Sequence, residues 1–269
     1  PPHRGDDSPG DSGSSREPPN PPKENFTLLL DNYHEARSQD DFPLAKDLLA
    51  RLHELRPGDP YLIQQYALVT YKSKSPDALS ALLEARYILE EKLAPEQSSD
   101  PETLGLWGAI HKRLWETEQE LVDLDTAIAA YERGFYLRRD YYTGINYAFL
   151  LNTRARYQVH KQEAIADQVI ANRVRQKILA IVGEALESLP HDKHGQPYDR
   201  HEAYWLGATR LEALLGLGKF QELEEASTEL FADAPESWMR ESTIEQLDKL
   251  HALLHKTTAQ SAGQKEILA

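Results

Sequence analysis

Two imidazoles and a carboxylate can hold a zinc ion, and one short stretch offers that combination: His191, Asp192 and His194, with His201 and Glu202 close behind. A metal-dependent hydrolase using the His191–Glu202 loop is one reading of it. The spacing is loose, though, and Gly195 and Pro197 mark a loop, whereas a metal site needs ligands held by an outer set of partners. Solvated histidines are the reading adopted, so no catalytic residue, metal ligand or cofactor is assigned. No Gly-rich phosphate loop, His-Glu-x-x-His or Gly-x-Ser-x-Gly is present. The chain has no cysteine, which removes disulfides, thiolate nucleophiles and zinc–thiolate sites together. A second set of residues has the chemistry of recognition instead: the amides of Asn146 and Asn152, the cations Lys112, Arg113 and Arg139, and Tyr142. Tyr and Arg are over-represented where binding energy concentrates.

The elements that must carry these residues are helical almost throughout. Asn25 or Thr27 can cap a first helix bearing Phe26, Leu29, Leu30 and Tyr33, which Ser38–Asp41 breaks. Pro43 suits the first turn of the next helix, whose Leu44, Ala45, Leu48, Leu49 and Leu52 recur at helical spacing before Pro57 stops it. Further helices are expected over 61–72 and 76–93. Another starts at Pro101 behind Ser99 or Asp100 as cap. The stretch 125–152 reads as the second helix of one hairpin, a tight break at Arg139-Asp140, and the first helix of the next. Small residues among its aromatics, Ala130, Gly134, Gly144 and Ala148, let two helices approach within about 8–10 Å. A long helix follows over 161–189. A hairpin turning at Gly218-Lys219-Phe220 comes next, and a last helix covers 236–255. Trp107, Trp205 and Trp238 are expected in the core and Trp115 half exposed.

Ala127-x3-Tyr131 matches the alanine–aromatic signature of the tetratricopeptide second helix, and Ala45 stands 12 residues before Pro57 as that repeat's alanine stands before its closing proline. Successive breaks fall 38 to 50 residues apart. The strict period is about 34, so the arms are long and irregular. The predicted fold is all-α, an α-solenoid of about five irregular tetratricopeptide-like hairpins. In that frame Asn146 and Asn152 fall on or near the inner face of a first helix, with Lys112 and Arg113 on the preceding one. Two roles are open to Asn146: holding a ligand's backbone or carboxylate, or bonding a neighbouring hairpin.

The stretch Ala127, Ile128, Tyr131, Gly134, Phe135 … Tyr142, Gly144, Ile145, Asn146, Ala148, Leu150 resembles the TRAFs-binding domain. That domain is the central regulatory region of the apoptosis signal-regulating mitogen-activated kinase kinase kinases, with relatives in bacterial multidomain proteins. Tyr204-Trp205-Leu206-Gly207-Ala208 with Glu212-Ala213, and Pro235–Trp238 with Ser242–Ile244, continue the likeness in order. The resemblance implies a regulatory scaffold, a rigid helical block between a sensor and an effector domain.

Residues 1–24 are rich in Pro, Gly, Ser and Asp and are expected to be a disordered linker. Residues 25–256 form the helical domain and 257–269 a frayed tail. Beginning at Pro1, the chain reads as a piece of a longer or processed protein. A formal net charge of −14 repels phosphate backbones and argues against a nucleic-acid partner. No apolar run reaches the ~18 residues of a membrane span, and the expected compartment is the cytoplasm. The function expected is protein–protein interaction, with a peptide, a partner protein or an adjacent domain of the same chain on the concave surface. A purely structural oligomerisation unit is the other non-catalytic alternative.

Overall fold

A computed structural model describes residues 25–191 and 197–267, with side chains described as far as His255. The expected linker, residues 1–24, lies outside the described residues, as do Asp192, Lys193 and His194 of the histidine loop. The described residues form eleven helices and no strand. They are α1 Phe26–Ser38, α2 Phe42–Leu55, α3 Pro60–Ser73, α4 Ala78–Leu93, α5 Pro101–Glu118 and α6 Leu121–Arg138. Then come α7 Tyr141–Ala155, α8 Lys161–Ser188, α9 Arg200–Gly216, α10 Phe220–Ala232 and α11 Ser237–Ile267. The tail expected from Thr257 falls in the part of α11 whose side chains are outside the described residues.

Local chemistry sets most boundaries. Asn25, Asp41, Asp59, Asp77, Asp100, Asp140 and Asp199 each accept a first-turn N–H and cap the helix that follows. Helices α2, α3 and α5 carry proline in the first turn, where its missing N–H is no loss. Arg139 closes α6 in the left-handed region at φ 53°, its N–H bonded to the Phe135 carbonyl at 2.7 Å. Gln119 does the same for α5 at φ 59°, so the polar run that starts at Glu116 carries that helix on to Glu118 and no further. Gly218, at φ +69°, makes the turn into α10, a backbone shape that suits a residue without Cβ.

Chain neighbours pair as hairpins: α1–α2, α3–α4, α5–α6, α7–α8 and α9–α10, with each hairpin stacked on the next. Beyond chain neighbours, the pairs in substantial contact are α3 with α5, α7 with α9, and α11 with both α7 and α9. First helices of neighbouring hairpins therefore meet at α3–α5 and α7–α9, while no two second helices do so to that extent, which makes the first-helix side the inner face of an α-solenoid. The core runs through the stack. Leu29, Tyr33, Leu49 and Leu62 fill the space between α1, α2 and α3, Leu89, Trp107 and Ile110 the middle, and Phe135, Ala148, Ile178 and Leu250 the C-terminal part.

Close approach is built from glycine. A Cβ on Gly134 would stand 2.9 Å from Cγ2 of Thr143, so α6 and α7 touch backbone to side chain there. Polar clamps cross the same seams. Arg154 of α7 reaches Asp125 of α6 at 2.9 Å and Asp167 of α8 at 2.7 Å, and those carboxylates hold its guanidinium above the usual range. The Tyr147 hydroxyl donates to Glu132 at 2.7 Å.

Two expectations about tryptophan are corrected. Trp115 is buried, because the ring of Tyr157 packs edge-on against it at 4.9 Å. Trp238 is 52% exposed: at the start of α11 it leans on Trp205 but has no helix above it.

Candidate partner-binding groove

The inner face is a groove whose floor is made by α3, α5, α7 and α9, and its two halves differ. The half nearer the N-terminus holds a cavity of about 640 Å³ between α3, α5 and α7, lined among others by Tyr71, Gly105, Ala109, Arg138 and Tyr142. Small residues on α5 create the room: a Cβ added to Gly105 would meet only the Tyr142 ring, at 3.9 Å. Tyr142 is 47% exposed and lies edge-on to buried Tyr131, with centroids 6.1 Å apart.

The other half is covered by α11. Met239, Thr243 and Leu250 are buried at steps of four and seven, one narrow stripe of a helix laid along the floor. Thr243 meets the Tyr204 hydroxyl at 3.0 Å, and Gln246 donates to Glu212 at 3.2 Å. The helix leaves space beneath it. A cavity of about 230 Å³ is lined by Lys112, Tyr142, Asn146, Glu212, Gln246 and Lys249, among others. Farther along, one of about 500 Å³ lies between Trp115, Phe149, Thr153 and Leu253.

The smaller cavity has a charged centre. Lys112 Nζ donates to Asn146 Oδ1 at 3.0 Å and stands 4.9 Å from the centroid of the Phe149 ring. Asn146 Nδ2 donates to the Tyr142 carbonyl at 2.9 Å, which fixes the amide. Burial pushes the Lys112 ammonium down from the usual lysine range, although the residue as a whole is only half-buried; Glu116 and Glu212 oppose that shift. Glu212 is buried, and burial pushes its carboxyl up against the pull of Lys112, Arg175 and Gln246. Behind it Arg175 of α8 is wholly buried, and burial lowers its guanidinium to about 10, with Glu212 acting the other way. Its hydrogen bonds are long, 3.5 Å to Asn172 Oδ1 and to the Ala148 carbonyl, and Nε has no protein acceptor. The guanidinium lies on Gly216, where a Cβ would come within 2.4 Å of Cζ.

Lys112, Tyr142 and Asn146 thus converge on one cavity. Arg113 is exposed, donates to the Ala109 carbonyl at 2.9 Å and stacks 4.9 Å over the Tyr71 ring, toward the larger cavity. Arg139 is exposed at the α6–α7 turn and lines neither cavity. Asn152, six residues beyond Asn146, stands on another side of α7, buried and with Oδ1 lacking a protein donor. Glu212, Arg175 and Gln246 carry no role in the sequence reading. Arg175 had a signal: Ala171, Arg175, Ile178 and Val182 share one helical register, and three of the four are apolar.

In the histidine loop, His201 Nε2 lies 2.9 Å from Glu236, and Glu202 accepts from the Tyr141 hydroxyl at 2.9 Å. Among the described residues no group of three or more His, Asp or Glu side chains is placed to hold a metal. No helix among them is long and apolar enough to cross a membrane.

A stacked-hairpin array with an open inner groove defines a tetratricopeptide-like interaction module. Residues 41–151 match the family model of the Tetratricopeptide Repeats-Sensor domain, from the cap of α2 into α7. No curated protein matches the chain. The family match points to a non-enzymatic role in protein interaction or sensing.

Proposed function

We propose that this chain is a non-catalytic interaction and regulatory module of the TRAFs-binding type, working within a larger signalling or defence protein. Residues 25–256 act as one helical block between a tether and a tail. The block engages a peptide or a neighbouring domain along the inner groove, in the cytoplasm. One observation carries this reading: α11 already lies along α7 and α9 as a groove ligand does, while the stretch between α3, α5 and α7 stays uncovered. Tyr142, which borders both cavities, joins the open stretch to Lys112 and Asn146 at the edge of α11, and these three form the polar centre of the contact set, with Arg113 and Arg139 flanking it. Asn152, being buried, supports the floor.

The test fills the open half. Gly105→Leu places a side chain where only Tyr142 is near and replaces a poor helix former with a good one, so the fold is kept. Short peptides selected from a random displayed library on the unaltered chain should lose at least about tenfold in affinity for Gly105→Leu. Peptides that bind both equally, or no recovered peptide at all, would overturn the groove reading.

A further inference from the structure

Three cations stand in a row on the uncovered half of the groove. Arg37 lies in the last turn of α1, Lys72 in the last turn of α3, and Arg113 in the second half of α5. They belong to successive first helices and gather on α3: Arg37 bonds Gln65 of α3, and Arg113 lies over Tyr71, the residue before Lys72. Their partners are neutral. Arg37 donates to the Tyr33 hydroxyl at 3.1 Å and to Gln65 Oε1. Lys72 stands 5.6 Å over the Phe42 ring, and Arg113 lies over Tyr71 with its hydrogen bond to a backbone carbonyl. Among the described residues no ion pair is formed by any of the three. They feel one another: the Lys72 ammonium is pushed down by partial burial and then by Arg37 and Arg113, with Asp40 opposing. The three stand beside the cavity; its own charged lining is Arg138, Glu102 and Asp140, and Asp140 is committed to the cap of α7 through the Thr143 N–H at 2.7 Å.

Unpaired cations held close together in a chain of net charge −14 run against the overall field. The covered half of the groove shows how an occupant answers the floor: where α9 presents Glu212, α11 supplies the Gln246 amide. A floor of three cations beside an apolar and aromatic cavity calls for carboxylates beside apolar side chains. A nucleic acid offers anions too, but its many phosphates would meet the repulsion of the whole acidic surface. A short acidic segment meets only the local row.

Resting on the groove reading above, we propose that the α1–α3–α5 stretch receives an acidic peptide segment of a partner protein, its carboxylates meeting Arg37, Lys72 and Arg113 and its apolar side chains entering the cavity beside Tyr71 and Tyr142.

The experiment uses the full chain and the same displayed random-peptide selection. Peptides enriched in Asp and Glu, binding more weakly as salt rises, are the expected result. Their affinity, read by fluorescence anisotropy, should fall about tenfold or more in Arg37→Gln/Lys72→Gln/Arg113→Gln and stay near the original in Arg37→Lys/Arg113→Lys. Helicity by circular dichroism should match in all three proteins. Groove-binding peptides with no acidic bias, lost in Gly105→Leu but kept in the triple Gln variant, would sink the acidic-partner proposal and leave the groove reading standing. Tighter binding of oligothymidylate than of the acidic peptides would assign the row to nucleic acid instead. Self-association of the unaltered chain that the triple Gln variant abolishes would assign it to a second copy.

Discussion

Arg175 is a guanidinium placed where a hydrocarbon would do better, and the structure gives the size of the effect. Burial lowers its pKa from the usual range to about 10, a displacement worth about 3 kcal/mol against the charged form at neutral pH. The compensation is slight, since its two hydrogen bonds are 3.5 Å long and worth together about 1 kcal/mol at most. Removing Arg175 alone would leave Glu212 buried with one fewer counter-charge, so the informative variant is Arg175→Met/Glu212→Gln. The thioether fills the channel over Gly216, and the amide that replaces the Glu212 carboxylate keeps a partner for Gln246. The expected gain is about 2 kcal/mol, seen as a rise in Tm of about 4–8 °C by calorimetry at pH 7. The pH dependence has a fixed sign. A base whose folded pKa is lowered destabilises the fold fully below that value and is relieved above it, so the gap between the variant and the original should narrow as pH rises past 10. A fall in Tm of several degrees at pH 7 would mean that the guanidinium holds α7, α8 and α9 together more strongly than its long bonds imply, and the desolvation argument would fail.

Gly134→Leu should push α6 off Thr143 and cost about 1–3 kcal/mol; an unchanged melting curve would remove that close approach. His111 lies 2.6 Å from Asp123, yet burial outweighs that contact and lowers its pKa. Its stabilising part is present above the ordinary histidine pKa and is lost as pH falls through the folded value, so the drop in Tm between neutral and mildly acid solution should be smaller in His111→Gln. Asn146→Ala removes the acceptor of Lys112 and should weaken binding of groove peptides with helicity nearly intact; loss of the fold would show that the amide holds the floor and not a ligand.

The helices were legible because their signals are local: capping Asp residues, first-turn prolines and apolar steps of three and four fix α1 to α4 and α8 within about two residues, whereas α6 already begins at Leu121, ahead of the stretch read from Asp125, and α7 runs past Asn152 to Ala155. Trp115 and Trp238 were misplaced because burial depends on what stacks next, which no local window holds. The pair Lys112 and Asn146 was legible as two polar residues expected on inner faces, and they meet at 3.0 Å. Glu212 and Arg175 were not read: each is polar within an otherwise apolar register, a signal of burial whose partners stay unknown until α7, α8 and α9 are assembled. The position of α11 was equally hidden. A narrow apolar stripe, Met239, Leu247, Leu250 and Leu254, says that one side is covered but not whether a second helix or a groove covers it.

The Arg154 clamp has a mechanical meaning. By tying α7 to Asp125 of α6 and Asp167 of α8, it locks the third and fourth hairpins into one stiff segment. Of the seams between hairpins, the one joining α4 to α5 is the most thinly packed, and it borders the uncovered cavity on α5. An elastic array flexes where its joints are thinnest. Curvature imposed on either end would therefore collect at that joint, prising open or pinching shut the space under Tyr71 and Tyr142 while the C-terminal segment turns as a lever.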